Sequence, residues 1–267
     1  MKKYITLIAG LVAATTLLTA CDNKTDKAAE AQSKQELRIG ATGLSFPSAY
    51  KKDGKLTGFD VELAETIAKD LNYNIVWVTS DFSGLMGQLE AKKLDTVANV
   101  VSITSARQEK YDFTAPYSYY GSQLVTNKSN DDINTADDLK GKTISGVLGS
   151  NHLVNLKKAF GENGVTIRTY ESRDAAMNDA INNRVQAYVN SRPILLAEIK
   201  ENNLPLKLVG EPLVIEAVGF PFRKDEKGSE LKAAFDKELD VLHRDGRLKA
   251  LSEKYFNEDI TAKKPTN

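Results

Sequence analysis

Cysteine is nearly absent. Cys21 is the only one in 267 residues, so no disulfide can form within the chain. Histidine is almost as scarce, at His152 and His243, and with one cysteine no spacing suits a metal site. Net charge is missing as well. Thirty-six Lys and Arg balance 36 Asp and Glu, so the charge gives no reason to expect nucleic acid or an anionic surface as partner. The glycines at 146 and 149 are not followed by Gly-Lys-Ser/Thr, which argues against a nucleotide P-loop. The expectation is a chain with no cofactor, no metal and no nucleic acid. What is present is ordinary for a globular protein: 41% hydrophobic residues, and enough length for two small lobes or one large domain.

The first 20 residues read as a targeting segment. Lys2 and Lys3 precede an apolar run over residues 4–18, and small residues follow. The run is too short and too Thr-rich for a comfortable membrane span. It ends Leu18-Thr19-Ala20-Cys21, which resembles a bacterial lipobox. That likeness implies that Cys21 is diacylated and becomes the first residue of the mature protein. Residues 21–35 are polar, charged and Ala/Lys-rich, and read as a disordered tether.

The next stretch alternates in type. Residues 36–40 predict a strand, and 41–52 an irregular loop holding Phe46-Pro47. A helix capped by Asp60 carries Ala64, Ile67, Ala68 and Leu71 on one face. Residues 74–78 predict a strand, 82–91 a helix, and 96–101 a strand buried on both faces. Strand, helix, strand, helix, strand implies a parallel sheet with helices packed on it. Ligands of such sheets bind at the carboxyl ends of the strands. Beyond the buried strand, Thr104 suits the N-cap of a short helix with Arg107 in its first turn. A cation there opposes the helix dipole. Residues alone leave two readings open: a guanidinium that holds a carboxylate together with nearby free N–H groups, or a solvated arginine paired with Glu109 or Asp112.

The second half repeats the alternation. Residues 122–128 predict a strand, and Thr135 to Asp138 resembles a capping box. Residues 141–152 predict a strand running through a Gly149 loop into a helix. Strands over 165–170, 186–189 and 206–209 alternate with helices over 174–182 and 191–200, the latter with Pro193 in its first turn. After residues 217–224, Ser229 predicts the cap of a helix with Leu231, Ala234, Phe235, Leu239 and Leu242 on one face. Gly246 breaks it before a last helix over 248–255.

One set of motifs carries a likeness. Asp95, Ser102-Ile103-Thr104, Arg107, Tyr111-Asp112-Phe113-Thr114 and Pro116-Tyr117 resemble the core motif of the polar amino-acid substrate-binding proteins of ABC transporters, solute-binding family 3. Residues 54–71, GKLTGFDVELAETIAKDL, resemble that family's Gly-Phe-Asp signature, and the match runs from about residue 37 to 260. Leu148-Gly149-Ser150-Asn151-His152 is most like the cystine-binding branch.

The resemblance implies a type II periplasmic-binding-protein fold: two α/β lobes, each a mixed and mainly parallel sheet flanked by helices, with two hinge crossings. Lobe one would hold residues 36–123 and 222–260, lobe two residues 126–216, and 261–267 would be a tail. It implies that Arg107 clamps the ligand α-carboxylate and that Phe82 packs on the ligand side chain. Phe46, Asn99, Val100 and Ser102 would line the same cleft, with Ser150 and Asn151 reaching the carboxylate from lobe two. The family's ammonium-binding Asp falls here on Ser191, a departure, and Glu216 is a possible substitute.

The function implied is a monomeric, lipid-anchored receptor in the periplasm or on the outer face of the cytoplasmic membrane. It would bind an amino acid, cystine or cysteine first and another polar one next, and deliver it to an ABC permease. The competing reading is an enzyme on the same fold, similar to cyclohexadienyl dehydratases. No acid in the sequence can be placed over a leaving group, so a non-enzymatic role is expected.

Overall fold

The computed structural model describes residues 34–262. The targeting segment, Cys21, most of the tether and residues 263–267 lie outside the described residues.

The chain opens with β1 (Gln35–Ala41), then β2 (Leu44–Ser45), β3 (Ala49–Lys52) and β4 (Lys55–Thr57). The stretch expected to be an irregular loop is therefore largely a small antiparallel sheet, β2-β3-β4. Next come α1 (Phe59–Asp70), β5 (Tyr73–Thr79), α2 (Phe82–Glu90) and β6 (Thr96–Val97). β1 lies between β5 and β6, parallel to both. Its neighbours lie on opposite sides, so the cleft outside its carboxyl end is where a ligand is expected. β6 is shorter than the buried strand predicted for 96–101, because the backbone bends at Asn99 and turns left-handed at Val100.

Asp60 is not the cap of α1. Gly58 holds that position with φ 127°, and a Cβ there would sit 2.3 Å from the Ser48 carbonyl oxygen, so only glycine fits. The first helical N–H groups donate to carbonyls instead: Phe59 to Pro47 at 3.0 Å and Asp60 to Ser48 at 2.9 Å. This frees the Asp60 side chain to point into the protein.

Then follow α3 (Ser105–Lys110), β7 (Tyr111–Phe113), β8 (Ser118–Asn127), a 3-10 turn closed by the Thr135/Asp138 capping box, β9 (Thr143–Val147), α4 (Asn151–Phe160), β10 (Thr166–Tyr170), α5 (Arg173–Ile181), β11 (Ala187–Ser191), α6 (Arg192–Glu201) and β12 (Leu206–Val218). They form a mixed sheet in the order β10-β9-β11-β8-β12. β10, β9 and β11 run parallel, and β8 is antiparallel to both its neighbours. β8 and β12 pair from Ser118↔Val218 to Asn127↔Leu206, with one irregularity between Val209 and Val214. β12 thus runs well beyond the 206–209 expected.

The chain ends with β13 (Pro221–Arg223), α7 (Glu226–Arg244) and α8 (Arg247–Phe256). The cap of α7 is Asp225, which accepts from the Gly228 N–H at 2.9 Å, and not Ser229. An aspartate three residues before a free N–H satisfies it as well as serine does, so the helix starts one turn earlier.

The buried core on β1 draws from both ends of the chain. Leu37, Ile39, Phe59, Leu63 and Ile67 meet Tyr117, Phe220, Phe235, Leu242 and Phe256. A second core, with Leu124, Ile144, Leu156, Val189 and Val209, lies on the larger sheet. The sheet on β1 and the larger sheet each carry a core, and the paired strands β8 and β12 run between them, which makes a two-lobed α/β fold.

Candidate functional site

A cavity of about 360 Å³ opens at the carboxyl ends of β1, β5 and β6 and is closed from the far side by the N-terminal turns of α4 and α5. Asn99 accepts from the Thr42 N–H at 2.9 Å and its hydroxyl at 2.8 Å, tying the loop after β6 to the end of β1. Val100 follows with φ 53°, a left-handed conformation that a β-branched residue rarely adopts. The Asp60 carboxylate holds it there, accepting from the Val100 N–H at 2.9 Å and from the Tyr117 hydroxyl at 2.8 Å. Burial pushes the Asp60 pKa up to about 7, against the pull of those two donors.

Ser102 bridges to Val218 and donates to Glu216 at 3.0 Å. Two residues on, the Thr104 hydroxyl accepts from the Arg107 N–H at 3.2 Å, the expected cap. Arg107 is in the first turn of α3. Its guanidinium donates to the Ser102 carbonyl at 3.0 Å and the Gly149 carbonyl at 3.2 Å, and lies 5.4 Å from the centre of the Phe82 ring. Neither Glu109 nor Asp112 is its partner; Asp112 faces Lys224 at 3.7 Å. Burial lowers the Arg107 pKa, and Glu216 opposes this.

The opposite wall comes from the turn before α4. Ser150 takes the N-cap position without making a side-chain cap bond, and its hydroxyl is buried without a partner among the described residues. Asn151 donates to Glu216, so one carboxylate joins Ser102 on one side of the cleft to Asn151 on the other. Ser191 ends β11. Its hydroxyl lies 3.4 Å from His152 Nε2, while His152 Nδ1 lies 2.8 Å from the Ser122 hydroxyl.

Of the residues expected at the site, Phe82, Asn99, Val100, Ser102, Arg107, Ser150, Asn151 and Ser191 line the cavity. Phe46 and Glu216 are not among its lining residues. The Phe46 ring packs edge-on against Tyr50 at 4.9 Å, and its carbonyl accepts two hydrogen bonds from Arg173, each 3.2 Å. Glu216 sits behind the wall as the bridge described above.

Sequence reasoning passed over Thr42 and Arg173 and named His152 only within the likeness at residues 148–152; all three also line the cavity. Arg173 is buried in an ion pair with Glu198. It lies in the first turn of α5 as Arg107 lies in that of α3, so the same cation in a first turn was the available signal.

A cleft between two α/β lobes, lined by a carbonyl-held arginine, a phenyl ring and the N-terminal turns of helices, belongs to the type II periplasmic amino-acid-binding proteins. More narrowly, residues 37–258 match the bacterial extracellular solute-binding proteins, family 3, and the chain belongs to that family. Its members act outside the cytoplasm, bind amino acids and work with ABC permeases.

The chain is 49% identical over 261 residues to the probable amino-acid-binding protein YxeM of Bacillus subtilis (strain 168), covering 98% of this chain and 97% of that one. It is 35% identical over 227 residues to the L-cystine-binding protein TcyJ of Escherichia coli (strain K12), 84% of each. Among solved structures, an ancestral arginine-binding protein bound to arginine superposes with a TM-score of 0.78 at 34% identity, covering 84% of this chain and 99% of that one.

Proposed function

We propose that the protein is a lipid-anchored receptor that captures an amino acid between its two lobes and presents it to an ABC permease. L-Cystine or cysteine is the favoured ligand, and another polar amino acid comes next. The observation that carries this reading is Arg107. Its guanidinium makes no ion pair among the described residues, is held by two carbonyls and a ring, and lines a cavity large enough for such a ligand. A ligand carboxylate supplies the anion that this cation lacks, through two parallel hydrogen bonds.

In this reading lobe one comprises residues 36–123 and 222–260, lobe two residues 126–216, and the hinge runs through β8 and β12. Asn99, Val100, Ser102, Ser150 and Asn151 meet the amino-acid head, and Phe82 meets the side chain. A dehydratase needs an acid free to protonate a leaving group. Of the acids at the cleft, Glu216 is occupied by Ser102 and Asn151 and Asp81 by Ser83 and the Gly84 N–H, so Glu171 is the lining acid that a turnover assay tests.

Calorimetric titration against the twenty amino acids and L-cystine tests the receptor. Binding of at least one with L-cystine among the tightest supports it; turnover of prephenate or arogenate overturns it in favour of the enzyme. Mass spectrometry of protein isolated from its native membrane tests the anchor. An acylated N-terminus at Cys21 supports it, and an unmodified N-terminus elsewhere overturns it.

A further inference from the structure

The family's ammonium-binding aspartate is a serine here, Ser191, and a hydroxyl is a weaker acceptor for an ammonium than a carboxylate. Behind Ser191 stands a residue with no role so far. His152, in the first turn of α4, lines the cavity and is held at both ring nitrogens, with Nδ1 2.8 Å from the Ser122 hydroxyl and Nε2 3.4 Å from the Ser191 hydroxyl.

We propose that His152 replaces the missing carboxylate, acting through Ser191 as the residue that positions an acceptor for the ligand ammonium. This rests on the receptor reading above. In the arrangement proposed, His152 is neutral and carries its proton on Nδ1, donating to Ser122. Its Nε2 lone pair accepts the Ser191 O–H, which turns both lone pairs of that oxygen toward the cavity. An ammonium offers three donors and no acceptor, so this orientation suits it. A doubly protonated imidazole would donate from Nε2 to Ser191, turn the hydroxyl proton to the cavity and repel the ligand.

The charged groups that act on the ring are Arg107 from α3 and Glu216 from β12. Burial pushes the His152 pKa down to about 4, Arg107 lowers it as well, and Glu216 opposes both. The neutral, accepting form is thus the one present at neutral pH.

The test is calorimetric titration with L-cystine between pH 3 and 8, which spans the His152 pKa. His152→Phe keeps a ring and removes the acceptor, and should weaken binding about tenfold or more at pH 7.5, as loss of a charge-assisted hydrogen bond does. His152→Gln offers a neutral amide at the same reach and should stay within about threefold of the unaltered protein. Adding Ser191→Asp to His152→Phe should restore binding. The unaltered protein should lose affinity by about tenfold per unit below the His152 pKa, and His152→Gln should lack that loss. Titration of the ligand's own groups is common to both proteins and cancels.

His152→Phe binding within about twofold of the unaltered protein, or coincident pH profiles for the unaltered protein and His152→Gln, overturns the proposal. If His152→Phe fails to fold, the His152→Gln profile still decides. A protein that binds no amino acid at all overturns the receptor reading first, whereas one that binds and ignores His152 overturns this inference alone.

Discussion

Asp60 and Val100 are joined by a single 2.9 Å hydrogen bond, backbone N–H to carboxylate, that fixes Val100 in its left-handed conformation at the edge of the cleft. A strained φ of this kind costs on the order of 1–3 kcal/mol and persists only where its surroundings impose it. Asp60 is the imposing group, and it is also a buried carboxylate with a raised pKa of about 7.

That pairing makes stability depend on pH in a particular direction. Between about pH 4, where an unfolded aspartate titrates, and pH 7, the folded chain keeps the Asp60 proton and the unfolded chain loses it. Stability therefore falls as pH rises through this window, by about 1.4 kcal/mol per unit from this group, and levels off above it. Chemical denaturation at pH 5, 6, 7 and 8 should show this slope in the unaltered protein relative to Asp60→Asn. Parallel stability curves for the two would contradict it.

Arg107→Ala should remove ligand binding and leave the fold intact. Its contacts are to carbonyls at the cleft surface, so little of the core depends on it. Loss of a bidentate charge pair in a closed cleft corresponds to roughly 2–5 kcal/mol. Arg107→Lys should rescue poorly, because an ammonium cannot match the fork. Calorimetry reads affinity and thermal melting reads the fold; unchanged affinity in Arg107→Ala would sink the clamp.

Closure should be visible in solution. β8 and β12 are the paired strands of the proposed hinge, and Arg107 to Gly149 and Arg173 to Phe46 are hydrogen bonds across the cleft. Small-angle scattering should give a smaller radius of gyration with saturating L-cystine than for protein refolded free of ligand. Superimposable curves for those two samples would rule the hinge out.

Basic amino acids should not bind measurably. The buried anions near the cavity are committed: Glu216 to Ser102 and Asn151, and Glu198 to Arg173. Two arginines line the cavity, as do the exposed acids Asp81 and Glu171. A lysine or arginine side chain would meet Arg107 and Arg173 with only solvent-screened acids in compensation. The similar ancestral arginine-binding protein makes this a sharp comparison. Titration showing arginine or lysine tighter than L-cystine, cysteine and glutamine would refute it.

Much of this was legible in the sequence where the cause is local. The cap at Thr104, the capping box at Thr135 and the break at Gly246 depend on residues within one turn of each other, and all three stand in the structure. What was hidden depends on distant partners. Asp60 looks like a cap until the carbonyls of Pro47 and Ser48 are seen to do that work. Glu216 was expected to face a ligand, but its partners lie 114 and 65 residues away, at Ser102 and Asn151. The Leu148-Gly149-Ser150-Asn151-His152 likeness marked His152 without its proposed role, because its contacts are to Ser122 and Ser191 on two separate strands.

The final helix has a consequence for how the protein is made. Phe256 meets Phe59 at 5.5 Å and Tyr120 at 6.0 Å, and the Tyr255 hydroxyl donates to Glu62 at 2.7 Å across 193 residues of sequence. A chain leaving the ribosome N-terminus first lacks full cover on Phe59, Leu63 and Ile67 until Phe256 has emerged. Bringing such distant segments together is entropically costly and slow. The core on β1 is therefore completed late, and a chain stopped before residue 247 retains α7 and the larger sheet's core but lacks Leu248, Phe256 and Ile260, which finish this one.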